Sequence, residues 1–315
     1  HGEEAAKFLQ GQLTQDFVLL DEQHARLAAF CSPKGRMLAS FTCLRRGADE
    51  VLLICSRDIL APTLKRLSMF VLRAKVRLTD ATADFSLHGL AGDACPAIGA
   101  GTPWERIDDG ALNLVALYPA DGVRRALRIA PAGDVPAGVV LDTDIWLWGE
   151  VRSGIATLTA PIVEAFVPQM LNYESVGGVN FRKGCYPGQE VVARSQYRGT
   201  LKRRGFIVHA DAPLAAGQEV YQASDADQPA GLIAQAARAP ELSARMGDPL
   251  VSGQVATIML ITIAAAEIGL ALAVVLLLFR ARATSDLTVV RELGEASPTY
   301  TDHPSVAPRT TEDVS

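Results

Sequence analysis

FRKGCYPGQEVVAR, residues 181 to 194, places two glycines, a proline and a single cysteine between the basic residues Arg182, Lys183 and Arg194. Gly184 and Gly188 free the backbone while Pro187 fixes one dihedral and removes a donor, so the stretch is poor helix and poor strand and reads as a shaped loop. Its basic character continues through Arg198, Lys202, Arg203 and Arg204. That cluster is suited to an anion, although the net charge of −5 gives the whole chain no general attraction to nucleic acid.

Outward from this loop, short elements of both kinds interleave. Residues 4 to 13, EAAKFLQGQL, carry Ala5, Phe8, Leu9 and Leu13 at helical spacing. LAAFCSPKGRMLASFTCLRR predicts two strands around a turn at Ser32 to Gly35, EVLLICS a third strand, and RDILAPTLKRLSMFVLRAK an amphipathic helix. PAGDVPAGVV, residues 131 to 140, is a connection, and ordered structure restarts at IWLWGEVRSGIATL. After residue 200, GTLKRRGFIVHA, GQEVYQAS and AGLIAQAARA read as strands of a small barrel or sandwich that has little room before residue 250. Interleaving without a repeat indicates an α+β or mixed α/β chain.

With 315 residues, 49% hydrophobic and 21% charged, the chain has room for two or three globular domains. Its five cysteines are odd in number and lack a C-x-x-C pair, which argues against a disulfide framework or a thiolate zinc site and fits a reducing compartment. His24, His88 and His209 have no ligand spacing, so no metal is assigned. Residues 1 to 25 lack an apolar run, so no secretory signal is expected. Residues 255 to 279 carry Glu267 as their single ionisable group and exceed the roughly 20 residues that cross a bilayer as a helix, so a transmembrane helix is predicted over 255–280. The tail, 281–315, is rich in Ser, Thr, Pro and acids and is expected to be disordered.

NYESVGGVNFRKGCYPGQEVVARSQYRG, residues 172 to 199, resembles the signature of the YgfZ-type folate-binding proteins, relatives of the glycine-cleavage T protein, an aminomethyltransferase. The family's K-G-C-Y-x-G-Q-E core is matched by Lys183, Gly184, Cys185, Tyr186, Gly188, Gln189 and Glu190, with Pro187 in the free position. Further matches are FLQGQLTQD (Phe8 to Asp16), SPKGRMLA (Ser32 to Ala39), FVLRAKV (Phe70 to Val76) and FVPQMLN (Phe166 to Asn172).

The resemblance implies an α+β fold: a T-protein-like ring of α/β subdomains over residues 1–200, a truncated C-terminal β-barrel over 201–250, then the transmembrane helix. It implies tetrahydrofolate as ligand and a cytoplasmic accessory role in assembly or repair of iron–sulfur clusters. The implied partners are iron–sulfur proteins such as tRNA-methylthiolating enzymes, with no direct DNA binding. The family's reactive thiol falls on Cys185. Lys183, Arg194 and Arg198, with Arg182, are suited to the glutamate carboxylates of folate, Tyr186 and Phe181 to its rings, and Gln189, Asn172 and Glu190 to polar contacts. Beside Lys183, the Cys185 thiol has a setting that favours the thiolate.

One departure concerns catalysis. T-protein relatives carry R-L-E-A-G, whose glutamate holds the pterin, whereas EVRSG (Glu150 to Gly154) puts Arg152 in that place. A binding protein is therefore favoured over the alternative, a folate-dependent one-carbon (aminomethyl) transferase with Asp16 or Glu190 as its carboxylate. A second resemblance covers Ser252 to Leu293, which is similar to the last helix of the K subunit of proton-pumping NADH:quinone oxidoreductase. It rests on GQV, on AAAE at Ala264 to Glu267 and on the arginines beyond Phe279, and it implies a proton-path role for Glu267. Membrane contact through 255–279 follows, with a join of two unlike pieces near residues 238 to 251. A fragment of that respiratory subunit is the remaining alternative.

Overall fold

The computed structural model of the chain describes residues 1–96, 102–199, 201, 203–239 and, as backbone, 255–262. Helix α1 (Ala5–Gln10) turns Ala5, Phe8 and Leu9 inward, as their spacing requires. The expected hairpin follows: β1 (Arg26–Cys31) and β2 (Met37–Arg46) pair antiparallel, and β3 (Glu50–Ile54) joins the far edge of β2. Nearly every position of β1 and β2 is buried, with small Ala28, Ala29 and Ala39 set among Phe30 and Phe41. Both faces of this sheet are covered, which is why its strands read as unbroken apolar runs. Helix α2 (Arg57–Ser68) packs on β2 and buries Ile59, Thr63 and Leu67 at i, i+4 and i+8.

A second antiparallel sheet comprises β4 (Phe85–Ala91), β5 (Arg106–Asp109), β6 (Leu112–Ala120) and β7 (Val123–Pro131), in the order β4-β7-β6-β5. Helix α3 (Thr143–Arg152) comes next, started by Asp142, whose side chain accepts the Asp144 amide at 2.8 Å. The main core gathers α1, β1, β2, α2, α3 and the segment from Ala156 to Val179. Tyr173 lies fully buried within it and donates its hydroxyl to the Ala156 carbonyl.

Residues 181–194 differ from the expected loop. The loop ends at Gly188, and helix α4 (Gln189–Tyr197) begins on the next residue. Both glycines and Pro187 precede the helix, so none of them opposes it, and Val192 anchors its inner face.

The third sheet corrects a larger expectation. It contains β8 (Arg203–Ala210), β9 (Glu219–Gln222), β10 (Asp225–Arg238) and β11 (Val255–Thr262), in the order β8-β11-β10-β9. Residues 255–262, expected to open a transmembrane helix, are instead an inner strand paired antiparallel with β8 on one side and β10 on the other. Val255, Thr257, Ile258, Ile261 and Thr262 are β-branched, and open strand edges on either side turn that propensity into a ladder. The module thus takes a strand from beyond residue 250. Residues 263–280 of the expected span and the tail 281–315 lie outside the described residues. Among the described residues no helix is long and apolar enough to cross a membrane.

Candidate functional site

The motif loop is held against the amino-terminal part of the chain by backbone contact and by one buried cation. Gly188 has φ +80°, and a Cβ there would lie 2.4 Å from the Ser32 carbonyl oxygen and 2.7 Å from the Cα of Gly35. Gly35, at the tip of the β1–β2 hairpin, has φ +71°, and its own Cβ would lie 2.8 Å from the Val191 side chain. Two glycines at left-handed positions thus let hairpin and loop meet backbone to backbone.

Lys183 supplies the cation. It is 8% exposed, donates to the Leu13 carbonyl at 2.5 Å and to the Gln10 carbonyl, and stands 4.9 Å from the centre of the Tyr186 ring. The Gln10 carbonyl ends α1, where unpaired oxygens favour a cation, and Leu13 lies three residues beyond it. Burial nevertheless draws its pKa down from 10.5 to about 8, with Asp16 and Cys185 pulling the other way. Burial likewise raises the Tyr186 hydroxyl well above its ordinary value, with a smaller push from Cys31.

The remaining sequence-predicted residues spread around this loop. Cys185 is an exposed thiol, and Arg182, Glu190, Arg194 and Arg198 are also exposed. Gln189 is half-buried at the start of α4, its amide donating to the Tyr186 carbonyl at 3.2 Å. Phe181 meets Tyr197 edge to face at 5.7 Å between ring centres. Asn172 tethers β8, donating to the Gly205 carbonyl at 2.9 Å and accepting from Arg204 at 3.2 Å. The structure brings Lys183, Cys185, Tyr186 and Gln189 together and leaves Asn172 on the β8 side. Two cavities lie elsewhere among the described residues, and none of the predicted site residues borders either.

The larger cavity, about 500 Å³, lies between β3, α2 and residues 77–87 and has largely aliphatic walls, with Arg57, Arg77 and Asp80 exposed at its rim. The smaller, about 240 Å³, lies where the first two sheets meet α3, and polar and aromatic groups converge on it. Trp104 and Tyr118 stand edge to face, 6.0 Å between ring centres. Trp146 stacks under the Arg125 guanidinium at 4.3 Å, and Arg125 pairs with Glu150. A ring-sized hollow with a few fixed polar groups is the usual form of a small-molecule site, so this central cavity is the candidate site. Trp146 fits there because Gly89 on β4 has no side chain, since a Cβ would stand 2.4 Å from its ring.

No family model matches the chain. Among individual relatives, the tRNA-modifying protein YgfZ of Sodalis glossinidius is 32% identical over 238 residues, covering 70% of this chain and 71% of its own. The chain belongs to the YgfZ family. A second YgfZ, from Edwardsiella ictaluri, is 30% identical over 226 residues and covers 67% of each chain. An uncharacterized protein of Haemophilus influenzae is 31% identical over 207 residues, covering 65% of this chain and 68% of its own. Among solved structures, the glycine cleavage system aminomethyltransferase T of Bartonella henselae superposes with a TM-score of 0.55 at 13% identity. That match covers 84% of this chain and 74% of the other and shows that this YgfZ chain has a T-protein-like fold.

Within the YgfZ frame, the position that departs from R-L-E-A-G lies away from the central cavity. Arg152 holds Asp121 through its Nε at 2.9 Å, stands 5.7 Å from the Trp148 ring and approaches His209 Nε2 at 3.2 Å. Among the described residues, the carboxylate that borders the cavity is Glu150, one half-turn earlier on α3. Sequence reasoning missed Trp104, Tyr118, Arg125, Trp146 and Glu150, because they come from separate stretches that only the fold unites. Trp146 and Glu150 carry one readable signal, an i, i+4 pair on a short helix.

Proposed function

We propose that the chain is a tetrahydrofolate-binding accessory protein of tRNA modification that supports assembly or repair of iron–sulfur clusters in enzymes such as those that methylthiolate tRNA. The observation that carries this reading is the central cavity, an aromatic-walled hollow with an arginine-held carboxylate in a T-protein-like fold. The relatives' description as tRNA-modifying proteins supports the cellular role. The residues present fit the ring end of a folate: flat side chains for the pterin and a carboxylate for its polar edge. At about 240 Å³ the cavity is below the roughly 300 Å³ at which sites for drug-sized ligands begin, so the glutamate tail extends beyond it. Arg182, Arg194 and Arg198, exposed on the motif loop and α4, are available to anionic groups, and the exposed Cys185 to thiol chemistry.

The transferase alternative needs a carboxylate poised at the folate amine. Asp16 instead accepts the Val18 and Leu19 amides, each at 3.1 Å, and Glu190 is exposed on α4. Binding without group transfer is the better fit. Calorimetric titration of the full chain with tetrahydrofolate tests it: saturable heat is expected with wild type and with Cys185→Ala. No heat with any reduced folate overturns the reading.

A further inference from the structure

Helix α2 turns Ile59, Thr63 and Leu67 into the core and leaves Leu60 and Leu64, an i, i+4 pair, half-buried on its flank. Those two leucines border the larger cavity together with Leu52 and Leu53 of β3 and, beyond α2, Leu78 and Leu87. The aromatic side chains at this border are already engaged: Phe41 is buried in the main core, and Phe85 lies under the Arg46 guanidinium, 5.3 Å from its ring centre. Cys55 adds no charge, because burial lifts its pKa to about 11, with smaller pushes from Asp58 and Asp80. A lining of branched aliphatic side chains suits a flexible hydrocarbon better than a ring system, and its grip follows the apolar area covered.

The mouth carries two uncommitted cations. Arg57 and Arg77 are exposed there, and among the described residues neither guanidinium sits in an ion pair. The nearby acids are engaged elsewhere. Glu50 holds Arg46 at 3.2 Å, and Asp58 accepts the Ser56 hydroxyl at 2.6 Å and the Ala160 amide at 2.8 Å. Asp80 accepts the Thr82 hydroxyl and amide at 2.6 and 2.9 Å, and these bonds, with a smaller pull from Arg57, hold its carboxyl below the usual range. A guanidinium presents a planar fork of N–H donors that matches a carboxylate, and it stays charged at any working pH.

We propose that the larger cavity binds an unbranched alkyl carboxylate, a medium-chain fatty acid whose chain lies among the leucines and whose carboxylate meets Arg57 and Arg77. At about 500 Å³ the cavity falls within the roughly 300–1,000 Å³ of small-molecule sites. It is distinct from the central cavity, although Phe41, Ile54 and Cys55 border both.

The test is calorimetric titration of the full chain with hexanoate, octanoate, decanoate and decanol, on wild type, Arg57→Gln/Arg77→Gln and Leu64→Trp, with circular dichroism reporting whether each variant is folded. Wild type is expected to bind one decanoate per chain, and affinity to rise up to about fourfold for each methylene added from hexanoate to decanoate. The double arginine variant is expected to weaken decanoate roughly three- to tenfold, the range for two exposed ion pairs, and to bring it level with decanol. Leu64→Trp puts an indole into the space and is expected to weaken decanoate at least tenfold. Because Arg57 and Arg77 are exposed, their variant keeps the proposal testable even if Leu64→Trp fails to fold. Absence of saturable heat, affinity independent of chain length, or unchanged decanoate affinity in folded Leu64→Trp overturns the site. Equal affinity of wild type for decanol and decanoate, or an unchanged affinity in the double arginine variant, overturns the carboxylate as its ligand. None of these outcomes depends on folate binding.

Discussion

Lys183 shows how a residue type can be legible while its task is not. A lysine beside a cysteine in a glycine-bracketed loop suggests a ligand for folate carboxylates, yet its ammonium is directed at the carbonyls of Gln10 and Leu13. Those oxygens belong to a chain segment about 170 residues away, and no local pattern announces them. Removing the cation strands two carbonyls and a ring contact, so Lys183→Met is expected to cost roughly 2–3 kcal/mol in urea unfolding at pH 7. The pH dependence has a definite sign. With a folded pKa of about 8 against an ordinary 10.5, the native state holds fewer protons than the unfolded state between those values. Stability therefore rises with pH across that window, and the penalty of burying the charge is complete below it. The stability of wild type relative to Lys183→Met should grow from pH 8 to pH 10, and a flat difference would contradict the assigned burial.

At the scale of elements, the β1–β2 hairpin was readable because turn residues Ser32 to Gly35 separate two apolar runs, and α1 because its apolar residues keep helical spacing. Helix α4 was hidden because it is only nine residues long and follows directly on a Gly-Pro-Gly cluster that dominates any local window. Gly184 and Gly188 look alike in sequence but differ in the structure. A Cβ at Gly184 meets nothing within 4 Å, whereas at Gly188 it strikes the Ser32 carbonyl in a backbone conformation that side chains rarely adopt. Gly184→Ala is expected to change stability by less than about 0.5 kcal/mol, and Gly188→Ala to destabilise by roughly 1–3 kcal/mol. Thermal melts of the two variants check the contrast.

At the scale of the whole molecule, the family and the T-protein-like fold were legible, since the motif is long and its companion matches run through most of residues 1–235. The central cavity was not, because its walls come from β2, β6, β7 and α3 and acquire a common purpose only when the first two sheets face each other. Residues 255–262 were misread for a related reason. An uncharged apolar run satisfies a bilayer helix and an inner strand equally well, and the choice falls to β8 and β10, which lie outside the run itself. A chain ending after Gln254 would leave the facing edges of β8 and β10 unpaired, so it is expected to melt at lower temperature and to scatter light on standing. An unchanged melting curve would show that β11 contributes little.

The bond between Lys183 and α1 also sets an order of events during synthesis. At about 5–20 residues per second, roughly ten to thirty seconds separate the emergence of Leu13 from that of Lys183. For that interval the Gln10 and Leu13 carbonyls wait on the ribosome without their cation, which only the signature loop brings.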